Sequence, residues 1–126
     1  MLGKFSSIAT VAVKDLNAAK EFYGKTLGLD EVHAEGSEAV TYRTGASSLI
    51  VYRSQYAGTN QATACNWTVG DEIDAIVKTL EAKRVNFQQY DGLPGLTREG
   101  NIHVGGPMRI AWFKDPDGNI HALMNG

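Results

Sequence analysis

The 126-residue chain has one cysteine, three prolines and three histidines, and neither sign of charge predominates, with 12 Lys+Arg against 14 Asp+Glu. A lone thiol cannot staple the fold. Nor can it supply a cysteine-rich zinc site, so any metal would depend on histidines and carboxylates. Without an excess of Lys and Arg there is no surface for neutralising phosphates, which excludes nucleic acid as the expected partner. The N-terminal stretch, residues 1–13, is too short an apolar run, and too soon followed by charge, for a secretory signal or a membrane span. The expectation is a cytoplasmic protein with no membrane partner. What the chain does have is an ordinary apolar share, 43%, and a net charge of only −2, so it folds rather than remaining disordered. Its length fits one domain with one core.

Residues 8–13, Ile-Ala-Thr-Val-Ala-Val, are short, apolar and β-branched, which predicts a buried strand. Residues 15–28 space Leu16, Ala19, Phe22, Tyr23 and Leu27 as a helix does, with Asp15 to cap its start and Gly28 to end it. Strands are expected at 29–33, 38–44 and 47–53. The second half repeats this order: a strand at 65–69, a helix at 71–84 with Ile73, Ile76, Val77 and Leu80 on one face, and strands at 85–90, 108–114 and 119–124. The last two are joined by the turn Asp115-Pro-Asp-Gly118.

The repeat is visible in the sequence. Val13-Lys-Asp15 and Val69-Gly-Asp71 precede the two helices at an offset of 56, and Tyr42-Arg-Thr-Gly and Phe113-Lys-Asp-Pro correspond at an offset of 71. The extra 15 residues fall in the Gly- and Pro-rich stretch 92–107, which reads as a long loop able to act as a lid. Two βαβββ units, with Val-x-Asp-Leu-x-x-Ala-x-x-Phe-Tyr in the first and Asp-Pro-Asp-Gly-Asn before the final strand, resemble the vicinal oxygen chelate superfamily, which includes glyoxalase I, extradiol dioxygenases and the fosfomycin- and bleomycin-resistance proteins. The resemblance implies an α+β fold in which tandem βαβββ modules, here about 5–56 and 62–126 of one domain, form a cup-shaped mixed sheet.

In metal-dependent members of that superfamily, four side chains converge on a divalent ion. Carried onto this sequence, their positions are Ile8, Val51, Ala64 and Ala122, all aliphatic and without a lone pair to offer. The neighbours Ala9, Ile50, Tyr52 and Cys65 are hardly better, and only His121 could bind a metal. No metal and no cofactor are therefore expected.

If those four positions face the cup, alternation along the strands puts Thr10, Ala12, Leu49, Arg53, Asn66, Thr68, Ile120 and Met124 beside them. Thr10, Asn66 and Thr68 are then polar anchors in a largely apolar site, as small-molecule pockets have. Arg53 can take a carboxylate or phosphate, or is simply a solvated charge at a strand end. Trp112 and Phe113 point to opposite faces of one strand, so at most one lines the cup, and the sequence leaves open which. His103 is either a solvated loop residue or an acid or base that closes over a ligand. His121 is expected to pack against a helix and hydrogen-bond locally, His33 to be a surface residue, and Cys65 to be a small buried hydrophobe.

The expected function is metal-independent binding of a small organic molecule, aromatic or anionic, in the manner of a resistance protein that sequesters its ligand. The chain lacks the strong acidity that a cationic drug such as bleomycin would call for. The alternative is a glyoxalase- or dioxygenase-like enzyme, a lyase, isomerase or oxygenase, with an atypical or absent metal site. A homodimer is expected, since a symmetric pair is the commonest oligomer.

Overall fold

The computed structural model describes residues 1–126, which divide into two compact units, Met1–Thr59 and Asn60–Gly126. In the first, strand β1 (Ala9–Val13) leads into helix α1 (Leu16–Lys20), followed by β2 (Asp30–Glu35), β3 (Ala39–Thr44) and β4 (Ser47–Arg53). The sheet order is β1-β4-β3-β2, with β1 parallel to β4 and the other pairs antiparallel. Asp15 caps α1 as its residue type predicts, its Oδ1 accepting the N–H groups of Asn17 at 2.9 Å and Ala18 at 3.3 Å. Beyond Lys20 the helix widens into a π-helical stretch, Glu21–Thr26, and Gly28, with φ of +71°, turns the chain away.

The second unit repeats the plan with one elaboration. Strand β5 (Thr63–Thr68) is followed by helix α2 (Ile73–Ala82), then β6 (Asn86–Gln88), β7 (Thr97–Glu99), β8 (Ile102–Gly105), β9 (Met108–Lys114) and β10 (Ile120–Met124). Here β5 runs parallel to β10, and β10, β9, β8 and β7 follow in antiparallel order. Strand β6 pairs with residues 112–114 of β9 while β8 pairs with residues 108–110 of the same strand, so one lane of the sheet is filled by two separate pieces of chain. The expected α+β class and the two βαβββ modules are observed.

The lid loop is not. Residues 97–105 are a hairpin bonded into the sheet, and Gly100, with φ of +63°, and Asn101 form its turn. Glycine in this stretch supplies a tight turn between short strands rather than a long loop, and Gly-Asn between paired residues is the signal that shows it.

Each helix covers one face of its own sheet. In the first unit Leu16, Ala19 and Tyr23 are buried with Val11, Val13, Val40, Tyr42, Leu49 and Val51, and the Tyr23 and Tyr42 rings stack with centroids 6.1 Å apart. In the second, Ile73, Val77 and Leu80 of α2 are buried, as are Ala111, Phe113 and Leu123. Arg109 ties this side together, reaching Asp74 of α2 at 2.6 Å and Glu99 of β7 at 3.3 Å. No helix is long and apolar enough to cross a membrane.

Candidate functional site on the helix-free faces

Strand register decides which residues share a face. In the first unit Thr10 lies beside Ile50 and Ala12 beside Tyr52, while Val11 lies beside Val51 and Val13 beside Arg53. The helix-free face therefore carries Thr10, Ala12, Ile50, Tyr52 and, through the β3–β4 pairing, Thr41 and Ala39. A bulge in β2 between Glu31 and His33 adds His33 and Glu35 to it, opposite Thr41 and Ala39. These two side chains are exposed and meet at 2.6 Å. In the second unit Asn66 lies beside Ala122, Thr68 beside Met124, and Trp112 on the other side of Ala122. This helix-free face thus holds Asn66, Thr68, Ala122, Met124, Trp112, Ile110 and His103.

Trp112 is its focus. The ring is half-buried, and two neighbours meet it edge-on: Tyr90 with centroids 5.1 Å apart at 80°, and His103 at 4.8 Å and 78°. Such T-shaped contacts fix the indole without covering it on all sides. His103 is fully buried. Its Nε2 accepts the Tyr90 N–H at 2.9 Å, which leaves Nδ1 to donate to the Ile110 carbonyl oxygen 3.3 Å away. Both ring nitrogens are thus engaged within the protein. The expectation that His103 is a loop residue, either solvated or closing over a ligand as an acid or base, is corrected: it is a buried strand residue that builds the wall behind Trp112.

Phe113 and Arg53 are also corrected. Phe113 is buried on the helix side, its ring 4.9 Å from that of His121 at 5° and edge-on to Phe87, so Trp112 alone of that pair is on the helix-free face. Arg53 shares its face with Val13 and is paired with Glu38 at 3.0 Å. It lines an open concavity of about 480 Å³ with Lys14 and with Asn17 and Lys20 of α1. The error has one source. Arg43 and Lys114 are corresponding residues of matching strands, paired across their hairpins with Ser48 and Ile120, but four residues lie between the first pair and five between the second. The counterpart of Ala122 is therefore Ile50, one residue from Val51.

His121 stands beside the position where the family places a metal ligand, yet it is fully buried on the helix side and accepts the Trp67 indole N–H on Nδ1 at 3.0 Å. Burial pushes its pKa down to about 4, with the Asp115 carboxylate partly opposing the shift. Asp115 is itself buried and engaged, its Oδ1 accepting the N–H groups of Asp117 and Asn119 and its Oδ2 the Asn119 amide at 2.8 Å. Burial raises the Cys65 pKa, so this thiol is a poor nucleophile. With Ile50 in place of Val51, the four family positions are Ile8, Ile50, Ala64 and Ala122, and no group of three His, Cys, Asp or Glu side chains is placed to hold a metal ion. This donor set does not fit a divalent cation.

The profile of the Glyoxalase/Bleomycin resistance protein/Dioxygenase superfamily matches residues 4–123. The chain belongs to that superfamily. No curated protein sequence matches it, whereas solved structures of the superfamily fold do. The fosfomycin resistance protein FosX of Listeria monocytogenes, complexed with Mn(II) and sulfate, is 18% identical with a TM-score of 0.73, the match covering 100% of this chain and 92% of that one. FosX of Mesorhizobium loti is 15% identical with a TM-score of 0.71, covering 100% and 94%. Lactoylglutathione lyase of Agrobacterium tumefaciens is 18% identical with a TM-score of 0.72, covering 98% and 95%. At these identities the likeness is one of fold. Sequence reasoning placed Thr10, Asn66 and Thr68 on the helix-free faces, left open whether Trp112 or Phe113 joins them, and missed Tyr90 as a partner of Trp112. The signal for that partner was the hairpin turn Gly100-Asn101, which brings His103 under both rings.

Proposed function

We propose that this superfamily member is a metal-independent small-molecule-binding protein of the cytoplasm, acting as a homodimer and sequestering a flat aromatic compound on its helix-free faces. The observation that carries this reading is the half-buried Trp112 ring, framed by Tyr90 and His103 on the face that also carries the exposed Asn66 and Thr68. An indole held edge-on by two rings is a stacking surface, and neutral polar groups beside it orient a ligand without chemistry. The aliphatic residues at the family's ligand positions support the absence of a metal. An anionic substituent on the ligand has less support, since Arg53 points elsewhere. The dimer is supported by exposed apolar side chains in the N-terminal segment, Leu2 at 72%, Phe5 at 65% and Ile8 at 49%, which a second copy would cover.

Two measurements test the proposal. A thermal-shift screen of aromatic metabolites should yield compounds that raise the melting temperature, because a ligand selective for the folded state stabilises it. The same compounds should bind equally well before and after EDTA treatment. A stoichiometric divalent ion whose removal abolishes binding would overturn the metal-free reading in favour of an enzyme. Light scattering on the eluting protein tests the dimer.

A further inference from the structure

We propose that Asp91 and Arg98 form a positioning clamp that sets the Tyr90 ring against Trp112 and so shapes the stacking wall; the proposal rests on the reading of this face as the binding surface. Tyr90 lies in the connection between β6 and β7, where no ladder hydrogen bonds orient it. Instead its two neighbours are tied to the β7–β8 hairpin. On one side the Gln89 amide donates to Asn101 Oδ1 at 3.0 Å, and Asn101 in turn donates to Glu81 at 2.7 Å. On the other, Arg98 Nε and Nη2 meet the two carboxylate oxygens of Asp91 at 2.9 and 3.4 Å, while Nη1 donates to the Gly100 carbonyl oxygen at 2.8 Å. The Tyr90 N–H is fixed on His103, which lies directly across the β7–β8 ladder from Arg98. One guanidinium thus fastens the connection and the hairpin tip at once, and the residue bracketed between the ties presents its ring to Trp112.

The pair is suited to orientation rather than to folding. Asp91 is exposed, with 72% of its side-chain surface open, and exposed ion pairs add little stability. The two-point fork does fix direction, as guanidinium–carboxylate pairs do and ammonium pairs do not. Hydrogen bonding to Arg98 also holds the Asp91 carboxyl below the usual carboxylate range, keeping it ionised.

The test uses the 126-residue chain labelled with 5-fluorotryptophan, whose two fluorine resonances, from Trp67 and Trp112, are assigned with Trp112→Phe. Asp91→Ala and Arg98→Ala should each shift the Trp112 resonance, leave that of Trp67 in place and leave the melting temperature near wild type. Affinity for the aromatic probe 1-anilinonaphthalene-8-sulfonate should fall roughly twofold to tenfold, the worth of one well-oriented ring contact. The exchanged pair, Asp91→Arg with Arg98→Asp, should move the resonance back towards wild type, and Arg98→Lys should give an intermediate position. A Trp112 resonance unmoved by both single substitutions overturns the clamp, as does one that moves only together with Trp67 and the melting temperature. Should the probe fail to bind wild-type protein while the Trp112 resonance still responds and recovers, the clamp stands and the binding-face reading falls.

Discussion

The indole N–H of Trp67 donates to Nδ1 of His121 across the parallel pair of β5 and β10, at 3.0 Å and out of contact with water on the histidine side. The bond needs an unprotonated Nδ1, the form that burial of the ring favours.

This relationship makes stability depend on pH. Because burial holds the folded-state pKa of His121 at about 4, below the unfolded value of 6.5, its contribution is complete above about pH 6.5 and is lost as pH falls towards 4. Full loss amounts to roughly 3 kcal/mol. Denaturant unfolding of wild type and His121→Gln across this range checks it: wild type should lose more stability than the variant, and parallel curves would remove His121 as the cause.

Trp112 and Phe113, adjacent in the chain, should separate binding from folding. Phe113→Ala should cost about 3–5 kcal/mol, the usual penalty for emptying a buried ring site, since Phe113 is 1% exposed between His121 and Phe87. Trp112→Ala should cost less stability but weaken an aromatic ligand roughly tenfold or more. Unfolding curves and binding titrations on both variants read the contrast.

Arg53→Ala should leave the affinity for an aromatic ligand within about twofold of wild type, because its guanidinium is exposed, paired with Glu38 and on the helix side of its sheet. A larger loss in a binding titration would return Arg53 to the site.

Two glycines should respond with opposite sign. A Cβ on Gly105 would lie 2.6 Å from Leu96 Cδ2 and 2.9 Å from the Gly95 carbonyl oxygen, so Gly105→Ala should destabilise by about 1–3 kcal/mol as backbone is forced apart. Gly24 lies in the π-helical stretch without a left-handed φ and with open space around it. Gly24→Ala should therefore stabilise by about 0.5–1 kcal/mol. Unfolding midpoints of the two variants test both signs.

Much of this was legible in the sequence because the repeat fixed it. The offset of 56 matched Thr10 to Asn66 correctly, and both lie on helix-free faces beside Ile50 and Ala122. The offset of 71 failed after the hairpin turn because the two turns differ by one residue, and a one-residue slip reverses every side chain of a strand. That single residue sent Arg53 to the wrong face. Tyr90 was obscured for another reason: its place depends on a hairpin hidden in a Gly-rich stretch and on side-chain ties between residues 7 to 12 apart, which no periodicity announces.

The parallel pairing that closes each unit also orders its assembly. Val11 meets Val51 at a sequence separation of 40, and Cys65 meets His121 at one of 56, whereas Thr44 and Ser47 are almost adjacent. Loop-closure entropy favours the nearby pairings first. In each half of the molecule the hairpins form early, and the first strand to leave the ribosome is the last to find its place.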